Sequence, residues 1–483
     1  MDGTGIHVVL LVVYYAALMG LAALSLHRLL LVRGARPTWP VWPPPAPGPG
    51  SHPWVTVQLP IYNERAVVER LVDAAVAMRW PRERLEIQLL DDSTDDTALV
   101  AAGIVARHRA AGTDICHLRG DRAGFKAGAL QRGLAVAKGS LVAIFDADFV
   151  PPPNFLEQLT PHFTDPQVGL VQARWGHLNG GQNLLTHVQS LMLDGHFGVE
   201  QAGRQAAGSF FNFNGTAGIW RREAILDAGG WRSDTLTEDL DLSYRAQLRG
   251  WRFVYRHDLV APAELPADMA SFRSQQHRWT AGSAQTARLV LPRLWSAPLR
   301  WRVRLQGTAH LVGNVAYPLM VLLGFLMPVA PVAAVEVGLS PVGFLDAALW
   351  GAGLGGLTAF YVVAARRVGT RPWRALALLP ALVALGAGMA VSNTRGVVGA
   401  LRGTCTVFVR TPKQGDGFHA RYRAALGRAP ATEIALATWL VGGAGLLVLS
   451  GLYAAAVVPL TFAAGLTWVA AAWVKQVGRA ARA

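Results

Sequence analysis

Leu141-Val142-Ala143-Ile144-Phe145-Asp146-Ala147-Asp148 is a short apolar run that stops on two carboxylates one residue apart. An unbroken apolar run of this length reads as a strand buried on both faces. Three similar runs precede it, at Val55–Leu59, Glu86–Leu90 and Ile115–Leu118. Between them lie amphipathic stretches of helical period, around Glu64–Met78, Thr94–Arg109 and Phe125–Lys138. Strand and helix in alternation predict a Rossmann-like parallel sheet. A mixed second half follows, with helical Asn183–Gln205, a strand over Phe211–Trp220 and helical Glu238–Arg249.

The remainder of the 483-residue chain is of another kind. Hydrophobic residues make up 52% and charged residues 16%, and the mean hydropathy is +0.28. That balance predicts a soluble α/β domain joined to a helical membrane bundle. Val8–Leu26 is long enough to cross a bilayer. It lacks the basic front and small-residue cleavage site of a signal peptide, and Arg28, Arg33 and Arg36 follow it, which predicts a retained anchor. The predicted organisation is an anchor over 1–36, a Pro/Gly-rich linker over 37–53 and the α/β domain over 54–270. Interface helices over 271–303 and a membrane region over 304–483 follow. The net charge is +14. Many basic residues flank apolar runs, as Arg366, Arg367 and Arg479 do, which is the positive-inside pattern and calls for no nucleic acid. Cys116 and Cys405 match no metal spacing and read as small buried residues.

Candidate C-terminal spans are 304–330, 343–364, 373–394, 433–453 and 455–474. If all cross, the basic segment 395–430 falls on the outside, against the charge rule. The expectation is therefore that 373–394 is not a simple span. Pro380, Gly386 and Gly388 would suit a broken or re-entrant segment, or an interfacial helix. Alternatively, the Pro-interrupted 304–335 region holds something other than one helix.

Ligands of such sheets sit at the carboxyl ends of the strands. Acidic residues cluster there: Asp91-Asp92 after the second strand, Asp146 and Asp148 after the fourth, and Tyr62 and Glu64 after the first. Neither a G-x-G-x-x-G turn nor a Walker A loop is present, so carboxylates and a metal are expected to handle phosphate. Each feature also has a plain structural reading. Asp91 and Asp92 would serve as helix caps, and Lys126 as a solvated lysine. Thr237-Glu238-Asp239 would be a capped helix start, and Gln275-Gln276-His277-Arg278-Trp279 an interfacial belt.

Their order is more specific than any one of them. D-D, a basic G-x-K, D-x-D, T-E-D and Q-x-x-R-W within about 190 residues, closed by apolar spans, resembles the processive enzymes of glycosyltransferase family 2. Within it, Phe211–Arg221, Asp194–Gln201 and Gln275–Trp279 look like the plant cellulose synthase-like A and C enzymes. Phe408–Lys413 is similar to that family's gating loop, placed at 405–416, with Arg410 departing from the usual Val.

The resemblance implies a GT-A fold and an inverting, processive transfer from UDP-glucose or GDP-mannose. A β-linked (β-1,4) glucan or mannan would grow as acceptor and be exported across the plasma (inner) membrane. The protein would be multi-pass with its catalytic domain cytoplasmic. Membrane lipid and accessory export proteins are the further expected partners. Tyr62, Glu64, Asp91 and Asp92 would line the nucleotide, and Lys126 would meet the diphosphate. Asp148, with Asp146, would hold Mg²⁺ or Mn²⁺. Asp239, next to Glu238, would be the base. Gln275, Arg278 and Trp279 would hold diphosphate and acceptor, with Gly215 and Thr216 beside the acceptor. Thr411 and Lys413 would close over the nucleotide. Two rival readings are a non-processive transferase acting on a membrane lipid, and a transporter or scaffold carrying a decayed transferase domain.

Overall fold

The computed structural model describes residues 3–34, 52–341, 343–404, 415 and 429–480. The predicted linker, apart from residues 52 and 53, lies outside these, as do Cys405 and the loop residues Thr411 and Lys413.

Seven strands form one sheet: β1 Val55–Ile61, β2 Leu85–Asp91, β3 Ile115–Arg119, β4 Leu141–Ile144, β5 Val168–His177, β6 Gly218–Arg221 and β7 Arg252–Ala263. Their order is β3-β2-β1-β4-β6-β5-β7. The first four run parallel, while β6 is antiparallel to both β4 and β5. The parallel half is the expected Rossmann-like unit. Its strands β1, β2 and β4 are buried along their whole length, which is why they read as continuous apolar runs. The order reverses between β1 and β4, and a crevice at such a point is where ligands of these sheets bind. Cys116 sits half-buried on edge strand β3 rather than in the core.

The strand expected over Phe211–Trp220 shrinks to Gly218–Arg221. Side chains, not a neighbouring strand, take the earlier amides. Phe211 donates to Gln247 Oε1, Phe213 to Ser243 Oγ and Asn214 to Gln172 Oε1. Left-handed φ angles at Gly215 (80°) and Ala217 (55°) then bend the chain out of the ladder.

Helices α1 Gly3–Gly34, α2 Val68–Val76, α3 Thr97–Ala110, α4 Phe125–Val136, α5 Leu184–Gly195 and α6 Glu238–Leu248 precede a 28-residue α7, Met269–Ser296. The bundle continues with α8 Trp301–Val312, α9 Ala316–Leu326, α10 Phe344–Arg367, α11 Pro372–Leu401, α12 Ala431–Leu449 and α13 Tyr453–Ala480. Among the described residues, six helical segments are long and apolar enough to cross a membrane: α1, α8 with α9, α10, α11, α12 and α13.

Packing separates α11 from the other five. The end of α10 touches the sheet domain, where His257 Nε2 lies 3.0 Å from the carbonyl of Arg367. The chain reverses there, so α11 begins beside the domain. Its far end is also there: His277 Nδ1 of α7 lies 2.9 Å from the Ser392 carbonyl, and Arg288 of α7 donates to the carbonyl of Leu401. A 30-residue helix is about 45 Å long, so with both ends on one face it lies along that face. It is unbroken despite Pro380, which fits the interfacial option and not the broken one. The 304–335 region also holds more than one helix, because a 3-10 turn, Gly313–Val315, separates α8 from α9, and a short helix, Ala330–Glu336, follows.

With α11 set along that face, the other five candidate spans satisfy the charge rule if they cross. The end of α1, the start of α12 and the end of α13 all meet the sheet-domain side, through Gly34 against Gly203, Glu433 with Arg273, and Gln476 donating to Asp268. The opposite ends meet one another, Tyr14 and Tyr15 of α1 donating to Asp346 at the start of α10.

Candidate active site

The site lies at the carboxyl ends of β1 and β4 and has two lobes of about 120 Å³ each. Tyr62, Glu64, Asp92, Arg122 and Phe125 line one. Gly215, Glu238, Asp239, Gln275 and Trp279 line the other. Lys126, Asp146, Asp148 and Arg278 border both. Residues from seven separate stretches of sequence thus face one crevice.

Lys126 enters from the first turn of α4, behind Gly124 in the left-handed conformation (φ 71°). A cation at a helix start opposes the dipole, and acidic neighbours offset this. Its Nζ is 2.5 Å from Asp146 Oδ1 and 3.9 Å from Glu238 Oε1, and it donates to the Gly215 carbonyl at 2.9 Å. Burial disfavours its charge, but Asp146, Glu238 and Asp239 outweigh burial and raise its pKa. Arg278 is pulled down by burial, with the same carboxylates opposing.

Asp239 stands in the first turn of α6. The Thr237 side chain does not cap this helix; it packs on α7 instead, where Gly282 leaves room for it and Thr286 Oγ1 is 3.3 Å away. That contact brings α6 against the turn of α7 carrying Arg278. Removal from water, then the adjacent Glu238 charge, pushes the Asp239 carboxyl up to about 7. Glu238 shifts upward as well, again chiefly through burial. A carboxyl poised near neutrality is suited to accept a proton.

The predicted residues divide into those that face the crevice and those that hold it. Asp91 is fully buried and lines neither lobe. Its Oδ1 accepts from the Ser93 amide (2.7 Å), and its Oδ2 is contacted by His117 Nε2 (2.8 Å) and accepts from Arg119 (2.7 Å). It fixes the turn that presents Asp92, which itself pairs with Arg132. Burial opposes its charge, yet His117, Ser93 and Arg119 hold the Asp91 carboxyl down at about 2. Its stabilising contribution is therefore complete above about pH 4, the unfolded value, and is lost as pH falls toward 2. Asp91→Asn is expected to cost about 2 kcal/mol of domain stability, measurable by denaturant unfolding. The difference from wild type should vanish at the acid end.

Thr216 is also behind the site: it is fully buried and its Oγ1 accepts from the Asp146 amide at 2.9 Å. Gly215 borders the second lobe, and a Cβ there would lie 3.1 Å from both Asp239 Oδ2 and Lys126 Nζ.

Several lining residues carried no role in the sequence reading, Arg122, Trp175 and His177 among them. The Arg122 guanidinium lies 3.7 Å above the Tyr62 ring, a cation–π contact. The four non-glycine residues of positive φ among the described residues are Asn63, Arg122, Phe125 and Ala217. All are at the site or next to a residue that builds it, as expected where strain shapes a binding surface. Trp175 and His177 end a long strand, and no local signature marks them.

Among the described residues no cluster of three or more His, Cys, Asp or Glu is arranged to hold a metal. Asp146 and Asp148 nevertheless face the junction of the two lobes with hard oxygen donors. Divalent cations in nucleotide sites use one or two carboxylates and complete their shell with phosphate and water. The donor set fits that arrangement.

Residues 52–282 match the family model described as "Glycosyltransferase like family 2". The chain is 41% identical over 295 residues to a probable glucomannan 4-beta-mannosyltransferase 3 of Oryza sativa subsp. japonica, covering 58% of this chain and 54% of the relative. It is 46% identical over 250 residues to glucomannan 4-beta-mannosyltransferase 2 of Arabidopsis thaliana, covering 50% and 47%. The chain thus spans about half the length of the curated relatives it matches. Among solved structures, the mannosyltransferase PcManGT from Pyrobaculum calidifontis, in complex with GDP-Man and Mn²⁺, aligns at a TM-score of 0.50 and 21% identity. That alignment covers 81% of this chain and 98% of the other. It extends the likeness of fold to most of the chain.

Proposed function

We propose, from the premise that residues 52–282 are a glycosyltransferase family 2 domain, that this protein is an inverting β-1,4-mannosyl- or glucosyltransferase that extends a polysaccharide. The observation that carries the reading is Asp239 facing Lys126 and Arg278 across Gly215 in one crevice. Asp239 takes the proton of an acceptor hydroxyl in the lobe that Trp279 and Gln275 border. The oxygen attacks the anomeric carbon from the face opposite the nucleotide. The bond to the diphosphate breaks, and its electrons leave with the nucleoside diphosphate. Lys126 and Arg278 meet the charge that develops there. Asp146 and Asp148 would hold a Mg²⁺ or Mn²⁺ ion, which when bound supplies further positive charge to the leaving diphosphate. Tyr62, Arg122 and Asp92 bound the lobe for the nucleotide base and ribose.

The plant relatives' names favour mannosyl transfer, hence GDP-mannose over UDP-glucose as donor. Repeated transfer, release of the chain on the far side of the bundle, and a plasma-membrane location with the catalytic domain cytoplasmic complete the reading.

The test is product formation by purified full-length protein with labelled GDP-mannose or UDP-glucose. A polymer digested by mannanase is the expected result, and digestion by cellulase would reassign the sugar. A short product soluble in organic solvent would instead make the acceptor a membrane lipid. EDTA is expected to abolish incorporation, and added Mg²⁺ or Mn²⁺ to restore it. Full activity in EDTA would remove the metal from the reading.

A further inference from the structure

Helix α7 presents two different faces. Gln275, Arg278 and Trp279, spaced by three and four residues, line the crevice. Arg273 and His277, four residues apart on the other side, meet the membrane bundle. The Arg273 guanidinium is 2.8 Å from Glu433 Oε1 of α12, and His277 Nδ1 is 2.9 Å from the Ser392 carbonyl of α11. Gly396 allows α11 to come this close, because a Cβ there would lie 3.2 Å from the His277 carbonyl. At the start of α7, Asp268 Oδ1 caps the helix by accepting from the Ser271 amide at 2.9 Å. Gln476 of α13 donates to the same oxygen at 2.7 Å. Three helices of the bundle thus hold the back of the helix whose front carries part of the site.

Glu433 is the unusual member of this set. Acidic side chains in apolar membrane helices are costly and few. Among the described residues the six candidate spans hold two, Asp346 and Glu433. Asp346 caps its own helix, accepting from the Gly343 amide at 3.1 Å. Glu433 instead reaches outward. It is fully buried, and it meets Arg273 of α7 and Arg395 of α11, whose Nη1 is 3.8 Å from the same oxygen. Arg395 also donates to Thr432 Oγ1 at 2.6 Å.

The first turn of a helix favours a carboxylate, but that alone does not require a buried one. Fitted apolar side chains would join α7 and α12 without taking two charges out of water. What the ion pair adds is direction, because the fixed fork of an arginine on a carboxylate sets angle and depth together. We propose that Glu433 is a positioning residue for sugar transfer, holding α7 through Arg273 so that Arg278 and Trp279 stand against Asp239. Glu433 itself lines neither lobe of the crevice. The role rests on the reading of that crevice as the transfer site.

The test uses the full-length protein with labelled GDP-mannose, or with UDP-glucose if that is the donor it consumes. Two variants are compared with wild type: Glu433→Leu, and Glu433→Leu combined with Arg273→Met. The first leaves Arg273 buried without its carboxylate and should lower the Tm. The second replaces the ion pair with apolar contact and should restore it. Transfer in the double variant is nonetheless expected to stay down about ten-fold, in line with small displacements of reacting groups. Free sugar per nucleoside diphosphate released should rise about as much, because water replaces an acceptor that Gln275 and Trp279 no longer align. That ratio is independent of how much protein is folded, so a pair that only supports the fold would leave it unchanged. A wild-type ratio in the double variant would overturn the proposal. Release of no nucleoside diphosphate from either donor by the wild type would instead withdraw the reading of the crevice, and this role with it.

Discussion

Asp239→Asn is expected to lower sugar transfer by about 10³-fold, within the range for loss of a positioned base, while nucleotide-sugar binding stays intact. The amide has nearly the same shape, so the contacts that build the pocket survive, including acceptance from the Leu240 amide. What disappears is the ability to take a proton. In the wild-type enzyme the carboxyl is pushed up to about 7 by burial and by Glu238. The base must be ionised to act, so kcat/KM should rise with pH and level off above about 7. Glu238→Gln removes the neighbouring charge that disfavours ionisation, and should shift the rising limb toward acid. Isothermal titration with donor together with a pH–rate profile separates these effects. Wild-type transfer by Asp239→Asn, or a limb unmoved by Glu238→Gln, would take the base role away from this residue.

Gly215→Ala is the second large expected effect, a loss of about 10²-fold in kcat, in line with small displacements of reacting groups. Two physical causes coincide. Gly215 has φ 80°, a conformation that side chains rarely adopt. The added methyl would also stand 3.1 Å from Asp239 Oδ2 and from Lys126 Nζ, tighter than ordinary contact. It would push Asp239 and Lys126 apart, and it would disturb the carbonyl to which Lys126 donates. Ala at Gly208, also of positive φ (61°) but with open space around it, is the control. It carries the backbone cost without the intrusion, so it should lower stability and spare kcat. Equal kcat losses in both variants would show that backbone strain alone is responsible.

Much of the site could be read from the chain because its chemistry is local. Asp92, Asp146, Asp148 and Asp239 stand where a strand ends or a helix starts, and hydrophobic period marks such places. The order of D-D, G-x-K, D-x-D, T-E-D and Q-x-x-R-W added the resemblance to a family. What period could not report is which polar atoms are already spent. Asp91 and Asp92 are adjacent and alike in sequence, yet His117, Arg119 and Ser93 consume Asp91 and leave Asp92 at the pocket. Phe211–Gly215 looked like a strand because its residues suit one, and side-chain acceptors from elsewhere claimed its amides instead.

The membrane region shows the same division. Sequence by itself determined that apolar helices of spanning length follow an α/β domain, and that the charges around 395–430 conflict with counting every apolar run as a crossing. Pro372–Leu401 is as long and apolar as a true span, and hydropathy is blind to where a helix's ends go. Only the tertiary structure shows where the ends go: the chain enters that helix just after Arg367, which meets His257 of the sheet domain, and Leu401 at its far end accepts from Arg288 of α7. It also decided the active site. Lys126 and Gly215 are 89 positions apart, and neither residue's type nor its neighbours encode that meeting. Local sequence sets period, caps and charge, whereas crossovers and packing choose which distant residues share one crevice.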